Sequence, residues 1–83
     1  MILLPVQCRM ARAALGWGVK ELAAAAKVSI DTVVRFERGD ELKERTVEAI
    51  QRVLEAEGIE FIDADGRGAG VLLKKRRLRK KSQ

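Results

Sequence analysis

Near the carboxyl end, Lys74, Lys75, Arg76, Arg77, Arg79, Lys80 and Lys81 crowd seven cations into eight residues with no carboxylate among them. Such a run binds polyanions by releasing their counterions, whether the polyanion is DNA, RNA or an anionic surface. Its self-repulsion favours an anionic partner over a merely solubilising end, and phosphate contacts are expected at all seven residues. The run carries no information about base sequence. These cations account for the basic character of the chain. Residues 1–73 hold ten Lys/Arg against all 12 Asp/Glu, a net charge of −2 beneath the overall +5.

Catalytic chemistry is scarce. The chain has no His and no Tyr, its only serines are Ser29 and Ser82, and its only cysteine is Cys8. One Cys without His cannot supply the three or four ligands of a usual zinc site. A His-assisted Ser or Cys nucleophile is impossible. Neither catalytic residues, a metal nor a cofactor is expected, and the chain reads as a binding protein rather than an enzyme.

Eighty-three residues allow one small domain. With 47% hydrophobic and 35% charged residues, the composition is neither disordered nor membrane-like. No apolar run approaches the ~20 residues of a spanning helix. The opening MILLPV is too short and lacks the basic flank of a signal peptide. A lone cysteine excludes an internal disulfide, so the reducing cytoplasm is the expected compartment.

The patterning divides into helices and a hairpin. Val6 to about Leu15 reads as a first helix, with Pro5 at its start, Cys8, Ala11 and Leu15 on one face, and a stop at Gly16. VKELAAAA over 19–26 is rich in helix formers. Ser29 is a good N-cap for a third helix over 30–38, with Val33 and Phe36 facing inward and Gly39 ending it. A fourth runs from about Glu44 to Glu57 with Val47, Ile50, Val53 and Leu54 inward, closed by Gly58. The period then changes to two. Residues 59–62 and 71–73 read as strands around an Asp63–Gly66 turn. A lone hairpin is marginal in water, so Phe61 must cover the helical core or a second subunit. The expected organisation is a helical domain over 1–58, a hairpin extension over 59–73 and a basic disordered tail over 74–83.

The second and third helices, separated by a short turn, have the form of a helix-turn-helix. The ordered set Leu15-Gly16-Trp17, Leu22-Ala23, Ala26, Val28-Ser29, Thr32-Val33, Phe36-Glu37 and Gly39, with GIEFID behind it, resembles the Cro/C1-type (XRE) helix-turn-helix family over residues 7–62. The resemblance implies a mainly α, lambda-repressor-like domain of four to five helices. It also implies a bacterial transcriptional regulator, commonly a homodimer on palindromic double-stranded DNA. Arg12 and Glu37 match a family Arg and Glu that pair beneath the DNA-facing surface, where the planar guanidinium meets a carboxylate bidentately.

Carried over by position, Ser29, Ile30, Asp31, Thr32 and Arg35 face the major groove. Arg35 is the leading base reader, since Arg to guanine O6/N7 is the commonest specific contact, and Ile30 and Thr32 suit a thymine methyl. Arg38, Lys43, Arg45 and Lys20 are expected at phosphates. Three positions depart from the family. Val19 replaces a phosphate-clamping Gln, Asp31 puts a carboxylate on the reading helix, and Lys27 replaces a Gly that often needs positive φ. These departures and the acidic 1–73 region motivate a second reading, a protein-docking module of the same fold such as an antitoxin or anti-activator. Gly66–Gly70 lacks the βαβ context of a dinucleotide loop, and Asp63–Gly66 lacks the later ligands of a calcium loop. Trp17 reads as an interhelix wedge and Cys8 as a small buried hydrophobe.

Overall fold

The computed structural model describes residues 2–65 and 67–74. Four helices, α1 (Pro5–Leu15), α2 (Val19–Ala26), α3 (Ile30–Glu37) and α4 (Glu44–Ala56), precede an antiparallel hairpin of β1 (Ile59–Asp65) and β2 (Gly68–Leu73). The architecture is the mainly α one expected, with four helices among the described residues. The four helices and β1 place residues in one core, and Val71 of β2 packs against it. Leu3, Cys8 and Ala11 enter from the amino end, Leu22, Ala23 and Ala26 from α2, Val33 and Phe36 from α3, Ile50 and Leu54 from α4, and Ile59 from β1.

Local chemistry sets the helix limits. Ser29 Oγ accepts the Thr32 N–H at 3.0 Å and opens α3. At the end of α3, Gly39 takes φ 103° and lets the Asp40 N–H reach back to Arg35 O at 2.9 Å. The end of α2 uses the same left-handed device without a glycine. Lys27 sits at φ 61°, with the Val28 N–H bonded to Ala23 O at 3.0 Å. A side chain in this conformation is strained, yet it produces the sharp three-residue turn between α2 and α3.

The hairpin differs from expectation at its tip. β1 continues through Asp65, and the ladder slips by one residue between Ile62↔Gly70 and Asp65↔Gly68. The bulge absorbs the acidic residues that read as a turn. Phe61 and its partner Val71 cover the helical core, while Glu60, Ile62 and Leu72 face outward. The sequence reading missed the residue that fastens the hairpin. Gln7, 1% exposed, accepts the Leu4 N–H through Oε1 at 3.0 Å and donates through Nε2 to Ile62 O at 2.8 Å and Gly70 O at 3.0 Å. One amide thus caps α1 and joins it to both strands.

Two stability outcomes follow. Gln7→Leu removes three hydrogen bonds from a buried site and is expected to cost about 1–3 kcal/mol, read by urea denaturation with faster amide exchange in β1 and β2. Lys27→Gly relieves the left-handed strain and should gain about 1 kcal/mol in the same assay.

Candidate nucleic-acid interface

α2 and α3 pack against each other across the Lys27–Ser29 turn, and α1 crosses behind α3. Glu37, the last residue of α3, is the meeting point. Its Oε2 accepts from Arg12 Nε at 2.7 Å and its Oε1 from Arg12 Nη2 at 2.8 Å, a bidentate fork. Arg12 Nη1 also donates to Trp17 O at 3.1 Å, the Cys8 thiol donates to Glu37 Oε2 at 3.1 Å, and Arg9 Nη1 donates to the Glu37 carbonyl. Cys8 is therefore more than a filler in the core. Burial pushes its thiol pKa far up, and the Glu37 carboxylate pushes it further, so the proton stays on sulfur.

Burial also opposes ionisation of Glu37. The bonds from Arg12 and Cys8 and the charges of Arg12 and Arg9 outweigh it and hold the carboxyl below its ordinary pKa. The same bond from Glu37 raises the pKa of Arg12 against the effect of burial, so the pair is ionised.

With α3 held from behind, its other face is open. Ser29, Ile30, Asp31 and Arg38 are exposed, and Thr32 and Arg35 are half-buried. Ser29, Thr32, Arg35 and Lys43 line one open groove of about 550 Å³ with Val28, Glu41, Leu42 and Thr46. Ser29 and Thr32 are engaged locally, their hydroxyls 2.8 Å apart. Lys20 in the first turn of α2 and Arg45 in that of α4 are exposed but do not line the groove. Lys74 is exposed, and its N–H donates to Gly58 O at 2.8 Å beside the end of α4. Lys75, Arg76, Arg77, Arg79, Lys80 and Lys81 lie outside the described residues.

Two neighbours on this face escaped the sequence reading. Val34, one turn beyond Ile30, is 40% exposed and extends its apolar strip. Asp40 accepts from Arg38 Nη2 at 2.7 Å and Nε at 3.3 Å and lies 3.7 Å from Arg35 Nε. The bond and charge of Arg38 hold the Asp40 pKa low, and Asp40 raises that of Arg38. The signal available was an Asp directly after the helix-ending Gly39, two residues from one Arg and five from another. Asp31 Oδ2 lies 3.8 Å from Arg35 Nη1. The two arginines and two aspartates of this face carry no net charge.

A short helix, a tight turn and a second short helix with its outer face free and its inner face locked is the geometry that presents a helix to the major groove. The comparison with protein families agrees, because the model of a helix-turn-helix domain matches residues 6–61. The chain belongs to the helix-turn-helix domain family. In this helix-turn-helix protein the matched segment covers all four helices except Pro5, together with the start of β1, and the domain is of the DNA-binding kind. No curated protein compared with the chain matches it significantly. No helix among the described residues is long and apolar enough to cross a membrane.

The Glu37 site gives a pH-dependent outcome. A carboxyl with a lowered folded pKa adds stability above its unfolded value, near 4.5, and loses it as pH falls through the folded value. Glu37→Gln leaves Arg12 without its counter-charge and should cost about 2–3 kcal/mol at pH 7. In denaturant titrations between pH 7 and pH 3, the variant should lose less further stability below pH 4.5 than the natural chain does.

Proposed function

We propose that the protein is a sequence-specific DNA-binding transcriptional regulator of the Cro/C1 type, a repressor or autoregulator that reads the major groove with α3. The observation that carries this reading is the open outer face of α3, locked from behind by the Arg12–Glu37 fork. Arg35 reads a guanine, Ile30 and Thr32 meet thymine methyls, and Ser29 and Asp31 complete the groove-facing set. Arg38, Lys20, Lys43 and Arg45 contact phosphates. The basic 74–81 segment adds sequence-independent affinity, since phosphate contacts position a protein while base contacts specify its site. The proposed form is a homodimer on a palindromic site in the bacterial cytoplasm, acting by binding without catalysis.

The alternative, a protein-docking module such as an antitoxin or anti-activator, draws on the neutral reading face and on the outward Ile62 and Leu72, 36% and 50% exposed. Fluorescence anisotropy separates the two. The probes are duplexes tiling the region upstream of the protein's own gene, with a shuffled control, over a salt series. Among the described residues every buried core side chain lies between Leu3 and Ile59, so a 1–74 truncation keeps that core. The regulator reading expects the truncation to bind all duplexes more weakly, with a shallower salt dependence, while still preferring one tile. Arg35→Ala should lose about 1–3 kcal/mol of discrimination at one base pair. If all affinity leaves with the tail and no tile is preferred, α3 is a docking surface for protein.

A further inference from the structure

The loop after α3 holds a carboxylate to which the proposed function gives no task. Asp40 grips Arg38 through Nη2 at 2.7 Å and Nε at 3.3 Å, and its Oδ2 also lies 3.7 Å from Arg35 Nε. The position of this carboxylate is set by the backbone. Gly39 at φ 103° turns the chain, and the Asp40 N–H closes on Arg35 O at 2.9 Å. Asp40 is thus hydrogen-bonded through its main chain to the residue whose side chain it faces. All three side chains are accessible, with Arg35 42%, Arg38 62% and Asp40 39% exposed.

We propose that Asp40 is a positioning residue for DNA reading, bracing Arg35 from its Nε side and tying it to Arg38. This inference rests on the reading of α3 as the base-contacting helix. A guanidinium approaches guanine O6 and N7 with two N–H groups along one edge. With Nε facing Asp40, the Nη1–Nη2 edge remains for the base. Asp31 Oδ2 stands at that edge, 3.8 Å from Nη1, on a side chain 76% exposed that a base can displace into solvent. Arg38 shares the Asp40 carboxylate, so a phosphate held by Arg38 fixes the register in which Arg35 meets the base. A long side chain already braced loses less freedom on docking than a free one.

The inference can be separated from simple electrostatics because the two accounts diverge. Removing the charge of Asp40 makes the face more positive. Charge alone then predicts tighter binding to every duplex with the preference between sequences unchanged. A positioning role predicts a fall in preference at the base pair that Arg35 reads, whatever happens to general affinity.

The experiment is selection of binding sites from a randomised duplex pool, followed by anisotropy on the selected site. It uses the full chain as natural protein, Arg35→Ala, Asp40→Asn, Asp40→Ala and Asp40→Glu, each checked by thermal melting. The expected result is a selected motif containing a G·C pair whose preference disappears in Arg35→Ala. At that pair alone, Asp40→Asn and Asp40→Ala should lose at least about fivefold in discrimination, with affinity for shuffled DNA equal or higher. Asp40→Glu, which restores the charge, should recover most of the preference. Full discrimination at that pair in a folded Asp40→Asn or Asp40→Ala protein overturns the proposal. So does a motif in which Arg35→Ala changes no pair, an outcome that leaves the regulator reading standing. Selection of no motif by the natural chain overturns both this proposal and the regulator reading.

Discussion

A single carboxylate holds α3 in place. α3 has eight residues, too few for helix propensity to keep it folded or oriented in water. Its last residue, Glu37, receives Arg12 as a two-bond fork, Cys8 at the same carboxylate and Arg9 at its main-chain carbonyl. Three residues from two adjacent turns of α1 therefore converge on one end of α3. A largely buried ion pair contributes less net stability than its Coulomb attraction suggests, because both charges lose water. Its contribution here is angular, since a planar fork fixes direction as well as distance. Trp17 joins the same arrangement through its carbonyl, which accepts from Arg12 Nη1. The α1–α2 connection is thereby anchored to the guanidinium that orients α3.

The hairpin extends this framework through Gln7, on the helical turn before Arg12. α1 thus carries two polar side chains that serve other elements, Gln7 for the strands and Arg12 for α3. Cys8 and Ala11 supply the apolar contacts between them. In the proposed reading this division continues across the protein. The folded part, slightly acidic and with a neutral reading face, supplies discrimination, and the cationic segment supplies attraction. A reading face without net charge gains little electrostatic affinity from the wrong sequence, so preference there rests on the base-edge contacts of α3.

Much of this was legible in the sequence because it rests on periodicity and on stop signals. The limits of α2, the Ser29 cap and the inward Val33, Phe36, Ile50 and Leu54 follow from apolar spacing and local hydrogen-bond chemistry. The Arg12–Glu37 fork was suggested by resemblance, since two charges 25 residues apart carry no local signal. Gln7 was illegible for a related reason. A buried amide looks like any surface Gln until the chain returns 55 residues later with carbonyls for it to bond. The hairpin tip departs from the sequence expectation because Asp and Gly are turn formers, and a bulge in β1 uses the same residues as a simple turn. Asp40 shows in the sequence only as an Asp close to two arginines, whereas its significance lies in the bridge it forms between the Arg35 and Arg38 side chains.

The state of Cys8 gives the framework an intrinsic clock. A thiol that is fully buried, protonated and bonded to the Glu37 carboxylate cannot be attacked by an alkylating reagent while α1 and α3 stay together. Reaction requires that the two helices part and that the sulfur lose its proton to water. The labelling rate of this one atom therefore counts the openings of the α1–α3 contact. Whatever clamps α3 against α1 from outside should slow that count, with no dye, tag or added cysteine.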